Sequence, residues 1–289
     1  MDTQALVKAA ISASILMLVF ALGLRASFAD ATSLFRSLFR PPHRLLRALT
    51  AMYLVVPAVA IGLGLLFDLS VPVRTAMLAM AIAPIPPILP GKQLKFGDSS
   101  AHVFGLLVAV SLCAIVLVPV ELGVIGQVFD HRAAFSPARV ASLIGSTVLL
   151  PLLAGIAFRY FAPRWAEQLA PWASRLGTAL LIAGALPVLI AAAPAMAALT
   201  GDGSVLAITV LVVCAIAAGY ALGGPNEHER SSLAVASAMR HPGVALAIAA
   251  FNVPEAGHVG AAVLLYVLIA AVLTTLFGTI EKRRHGGRV

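Results

Sequence analysis

Charge is scarce in this chain. Asp, Glu, Lys and Arg together make up 11% of its 289 residues, against roughly a quarter in an ordinary globular domain, which excludes a soluble fold. Acidic residues number only 12, and none falls near the middle of an apolar stretch. Glu121 comes closest, in the outer half of the fourth stretch just after Pro119. This scarcity argues against a carboxylate-lined cation pathway through the protein centre. It reads Glu121 as an interfacial carboxylate first and a proton relay second. Cysteine is nearly absent as well. Cys113 and Cys214 both sit in apolar stretches, so neither a disulfide nor a metal site is expected. There is no carboxylate pair, Ser-His set or metal-ligand cluster. An intramembrane enzyme is therefore the least supported class, and no cofactor is expected.

What the chain has instead is hydrocarbon: 61% of residues are apolar and the mean hydropathy is +1.00. A spanning helix takes ~20 mostly apolar residues. Nine such segments can be drawn, at about 5–24, 46–67, 72–96, 102–124, 137–160, 173–199, 204–223, 231–252 and 257–280. The loops are short, so sequence neighbours run antiparallel. Ser27-Phe28-Ala29 resembles a signal-peptide cleavage site. The apolar core before it exceeds the usual ~7–15 residues, however, and Asp2 and Lys8 precede it, so a retained helix is expected.

The net charge of +8 describes topology rather than a nucleic-acid partner. Fifteen of the twenty Lys and Arg residues fall on one side of the predicted spans: Arg25, Arg36, Arg40, Arg44, Arg47, Lys92, Lys95, Arg159, Arg164, Arg175, Arg230, Lys282, Arg283, Arg284 and Arg288. Lys8, Arg74, Arg132 and Arg139 fall on the other. By the positive-inside rule this bias predicts an outside N-terminus and a cytoplasmic C-terminus, in a multi-pass protein of a bacterial inner membrane.

The last basic residue, Arg240, is the exception. It stands at mid-depth in the eighth segment, in Met239-Arg240-His241-Pro242-Gly243. Arginine there costs at least ~2.5–3.5 kcal/mol and normally faces a cavity or a partner. The third segment carries a stronger interruption, with Pro84, Pro86, Pro87 and Pro90 followed by Gly91 and Lys92. No continuous helix survives that run, because each proline removes a backbone donor. Arg74 to Pro86 and Arg230 to Pro242 have the same spacing, and Phe96-Gly97 before His102 matches Phe251-Asn252 before His258. The two interrupted segments lie five spans apart and so run in opposite directions. Paired broken helices in inverted halves mark the binding site of many secondary transporters.

These features together resemble the bile acid:sodium symporter family and its relatives, the arsenite and auxin-type carriers. The likeness runs through Phe20-Ala21-Leu22-Gly23-Leu24, Tyr53-Leu54-Val55-Val56-Pro57, the proline run with Phe96-Gly97-Asp98, and Met239 to Ala245. The resemblance implies an all-α membrane fold of about nine helices, an inverted repeat with two broken helices that cross. It also implies a panel domain near 1–27 and 137–199 and a core domain near 46–124 and 204–281. In sodium-coupled members, neutral and acidic oxygen ligands stand where this chain has Met52, Ile88 to Pro90, His102, Leu106, Ala236, Arg240, His241 and Pro242. A hard cation needs several oxygens, and almost none remain.

The expectation is therefore a secondary transporter of a small or amphipathic organic anion, without the usual sodium sites. Arg240, His241, Lys92, Pro86, Pro90, Gly91 and Gly243 are the expected substrate-binding residues, with the positive ends of two half-helices facing the crossing. His241, Lys92, His102 and Glu121 are the candidate coupling residues, with protons the alternative to a doubtful sodium. Lys92 reads equally as a crossover residue and as one reaching the cytoplasmic surface. Arg240 reads also as a clamp on broken-helix carbonyls, and His241 as a buried hydrogen-bonded histidine. Two other functions stay open: sodium coupling through unfamiliar ligands such as backbone carbonyls, and a non-transporting membrane sensor that kept the fold.

Overall fold

A computed structural model describes residues 3–36, 43–129, 137–201, 203–252 and 258–286. Of the residues in the charge count, Arg40, Arg132 and Arg288 lie outside these. The described chain is helical with no strand. Its main helices are α1 (Thr3–Gly23), α2 (Arg44–Leu66), α3 (Val71–Ile82), α4 (Leu89–Gln93), α5 (Ser100–Val128), α6 (Ala138–Phe161), α7 (Pro163–Ala198), α8 (Ser204–Leu222), α9 (Glu227–Ala238), α10 (Pro242–Asn252) and α11 (Val259–Gly286). Among the described residues seven stretches are long and apolar enough to cross a membrane, and shorter apolar helices occupy Ala9–Gly23 and Val71–Ile82. The expected all-α, multi-pass membrane architecture is what the chain forms.

Two groups of helices pack around different features. In the first, α1 lies along α7 and α6. Backbone meets backbone where Gly23 of α1 faces Gly155 of α6: a Cβ on either glycine would run into the other helix. Small residues let membrane helices approach this closely, and such packing counts because no hydrophobic force drives helices together in lipid. In the second group, α2, α3, α5, α8, α9, α10 and α11 pack around the two interruptions. Helix α8 lies against α9 through Gly219, whose missing side chain leaves room for Leu233 and Ala234. Contacts of α5 with α6 and of α7 with α11 join the groups.

One boundary differs clearly from the sequence expectation. The sixth segment, expected near 173–199, is a helix that starts at Pro163 and is separated from α6 only by Ala162. Pro163 suits a first helical turn, where its missing donor is not needed. Ala166 and Ala170 turn inward while Trp165 and Trp172 stay exposed. That amphipathic start is less apolar than the rest, so a hydropathy reading passes over it. The third segment, drawn as 72–96, breaks where its proline run implies, into α3 and α4 with non-helical backbone between Ala83 and Ile88.

Candidate functional site

Prolines decide the local chemistry because they remove backbone donors and so leave carbonyls unbonded. In α2 the backbone widens into a π-turn at Ala51–Val55, where Val56 N–H bonds Ala51 O. The residue after it is Pro57, which has no N–H, so the Met52 carbonyl is left over. In the first interruption the carbonyls of Ala83 and Pro84 accept from Arg240 and His241 of the second. In the second, α9 ends at Ala238 and Pro242 opens α10. Ala238 O therefore has no donor four residues on. Ser237 O loses its helical donor as well, because His241 N–H turns to Pro84 O at 2.8 Å. That bond joins the two interruptions directly.

Arg240 collects the freed carbonyls. Its side chain is 2% exposed. Nε donates to Ser237 O at 2.9 Å, Nη1 to Ala83 O at 3.1 Å and Nη2 to Met52 O at 2.8 Å. One guanidinium thus ties α2, the first interruption and the end of α9 together. The Tyr266 hydroxyl, on α11, donates to Ala238 O at 3.2 Å. Non-helical backbone at bilayer depth survives only when its polar groups are met inside the protein, and here arginine and tyrosine meet them. His241 is 3% exposed. Its Nδ1 accepts from Val244 N–H at 3.4 Å, in the first turn of α10, while Nε2 has no partner.

On one side of this crossing lies a cavity of about 580 Å³. Its walls come from α1, α4, α7 and α11, with Met239 of the second interruption also in the lining. Lys92 lines it, and its Nζ donates to Thr274 Oγ1 at 2.9 Å and approaches Met239 Sδ at 4.0 Å. Arg25, Lys95 and Lys282 place further positive charge on the same lining. The lining is otherwise apolar or hydroxylic, the composition that takes an anionic head with a greasy body.

The expected site residues thus fall in three places. Lys92, Gly91, Pro90 and Pro86 belong to the first interruption and α4: Lys92 and Gly91 line the cavity, while Pro86 and Pro90 are buried in the backbone that shapes it. Arg240 and His241 form the crossing behind it, and Gly243 sits exposed on the first turn of α10. His102 and Glu121 are apart from the cavity. His102 is buried beside Asp98, with Nε2 3.8 Å from Oδ2, near an ion pair between Arg44 and Glu229 at 2.8 Å. Among the described residues no group of His, Cys, Asp and Glu is arranged to hold a metal ion.

Residues 13–201 match the profile of the sodium bile acid symporter family. The chain belongs to that family. It is a membrane transporter of the bile acid symporter type. The match spans α1 to α7, including the first interruption, and stops short of the second. A search of curated proteins finds no match.

Set in this family, the cavity also contains residues that sequence reasoning passed over. Ser174 and Thr178 lie one turn apart on α7, and Thr274, Thr275 and Thr279 lie along α11. Hydroxyls at helical spacing in apolar segments were a readable signal. They were missed because threonine bonds its own helix easily, as Thr274 does to Ala270 O at 2.6 Å. The spare backbone carbonyl of Met52 is a second omission. Pro57 reads as a plain kink, and its consequence, a carbonyl left for an arginine 188 positions away, has no local trace.

Proposed function

We propose that this symporter-family protein carries a small or amphipathic organic anion by alternating access, and that it does so without sodium. The observation behind this reading is the Arg240 guanidinium, which occupies three carbonyl oxygens converging from three elements. Backbone oxygens grouped this way are what a hard cation would need. Here a fixed side chain takes them, so the crossing carries its own cation and has no evident place for a mobile one. In this reading Arg240 holds the crossing together and supplies its positive field. Lys92 meets the anionic group of the substrate, Gly91 lets the ligand approach the backbone, and Thr274 orients the ammonium. Helices α1, α6 and α7 act as the panel and the remainder as the core. The Lys92 cavity opens toward the cytoplasm, the side that the basic loops predict.

The test is uptake by the purified protein in sealed vesicles, with a radiolabelled bile acid and a keto acid as probes. Replacing sodium by an impermeant organic cation should leave uptake unchanged. A strict sodium requirement overturns the reading and favours sodium coupling through backbone ligands. Heat stability measured with and without sodium separates the same two cases independently of substrate.

A further inference from the structure

Glu121 plays no part in the cavity described above, yet its surroundings are unusual for a carboxyl. It lies in α5, which crosses the membrane, and both of its oxygens are sealed from solvent with no hydrogen-bond partner. Pro119, two residues earlier, sits inside the same helix. The groups acting on Glu121 come from the crossing itself. The Arg240 guanidinium is within electrostatic reach, and so is the Tyr53 hydroxyl of α2, which donates to Val110 O at 3.2 Å. The three carbonyl bonds of Arg240 leave one N–H on each Nη uncommitted. Elsewhere around α5, Arg139 of α6 is exposed and Arg74 of α3 stacks over the Phe129 ring at 5.4 Å.

A bare carboxylate buried without a donor is costly, and a bound proton removes that cost. The neighbouring face of α5 borders a cavity that Glu121 itself does not line. The next residue, Leu122, lines a second cavity of about 180 Å³ between α3, α5 and α10. Its lining includes Val71, Phe129 and Asn252, at the ends of these helices farthest from α4, so it lies across the crossing from the Lys92 cavity.

We propose that Glu121 is a proton-binding site that couples anion movement to a proton, reached through the cavity beside Leu122. This deepens the sodium-free reading and rests on it. When the carrier opens on that side, water enters beside Leu122 and the proton exchanges with it. The carboxylate left behind faces the Arg240 guanidinium, so the crossing alternates between one net charge and balance.

Two measurements test this. The first needs no substrate: infrared difference spectra of the purified protein in lipid nanodiscs, titrated from mildly acidic to mildly alkaline buffer. The wild type should lose a protonated-carboxyl C=O band on alkalinisation. That band should be absent in Glu121→Gln, shifted in Glu121→Asp, which retains the carboxyl, and unchanged in Asp98→Asn, which removes another buried acid. A band that persists in Glu121→Gln overturns the proposal. The second is bile acid uptake by vesicles under an acid-outside gradient. The gradient should speed the wild type several-fold and leave Glu121→Gln unaffected, while exchange of labelled for unlabelled substrate continues in the variant. A gradient response that survives in Glu121→Gln also overturns it. If the wild type moves no probe at all, the anion-carrier reading fails, and the infrared result still decides the proton site.

Discussion

The two interruptions solve one problem in opposite ways. The first, at 83–88, is built from prolines and contributes acceptors, the carbonyls of Ala83 and Pro84. The second, at 239–241, contributes donors, the backbone N–H of His241 and the guanidinium of Arg240. Each alone would leave buried backbone groups unpaired; together they pair the carbonyls of Ala83 and Pro84 with donors across the crossing. The comparison teaches that the arginine is costly only when α9 and α10 are considered by themselves. Against the first interruption and the π-turn of α2 it is the group that lets three segments of broken backbone coexist at bilayer depth.

The strongest way to break this complementarity is Arg240→Ala. It strands the carbonyls of Met52, Ala83 and Ser237, each at about 1–3 kcal/mol when buried and unpaired. A large loss of heat stability in detergent is expected. Sodium-dependent stabilisation, absent in the wild type, should then appear, because the vacated oxygens become free for a cation. Arg240→Lys should recover only part of the loss, since one ammonium cannot reproduce a planar fork that reaches three directions. If Arg240→Ala melts like the wild type, the donor role assigned to the second interruption is wrong.

Tyr266→Phe is a milder break. It removes the hydroxyl that serves Ala238 O and leaves the remaining bonds intact. The expected cost is about 1–2 kcal/mol, measured as a lower melting temperature with uptake retained. A loss as large as that of Arg240→Ala would show that the crossing depends on α11 as much as on the arginine.

Pro57→Ala sharpens the comparison from a distance, and its effect should be smaller. Alanine restores an N–H, so α2 can close into an ordinary helix and compete for the Met52 carbonyl. We expect a net stability change within about 1 kcal/mol, since a regained helical bond offsets a weakened arginine bond. The signature is coupling: in a double-mutant cycle with Arg240→Ala, the two effects should be clearly non-additive.

Much of this was legible in the sequence, and the reason is local. Proline acts on its own turn, so a run from Pro84 to Pro90 announces broken backbone without any tertiary information. Arginine in hydrocarbon announces a partner by its cost. The helical membrane fold follows from composition and from the length of the apolar segments. What could not be read is which atoms meet. Arg240 finds carbonyls at residues 52, 83 and 237, and nothing in a stretch such as Ala-Met-Tyr says that its second carbonyl is spare. His102 illustrates the same limit. The family resemblance set it at a sodium-ligand position and made it a coupling candidate, yet the starts of α2, α5 and α9 bring Arg44, Asp98 and Glu229 around it. Polar partners chosen across the fold leave no periodicity behind.

Lys92 tests where the comparison stops. It stands on α4, just past the first interruption, and reaches the second only through Met239. Unlike Arg240 it takes no backbone carbonyl among the described residues. Its one short contact is to Thr274, which also has its own helix to bond. Removing it orphans nothing that α11 cannot satisfy. Lys92→Gln should therefore melt within about 0.5 kcal/mol of the wild type, as substitutions away from buried networks do. Anion uptake should nevertheless fall at least tenfold, about 1.4 kcal/mol of lost differential binding. Lys92→Arg keeps the charge and should restore part of the uptake. A variant stable but inactive would separate the cation that holds the crossing from the cation that meets the substrate. A Lys92→Gln protein that transports normally would return that second role to Arg25, Lys95 or Lys282, the other basic residues of the same cavity.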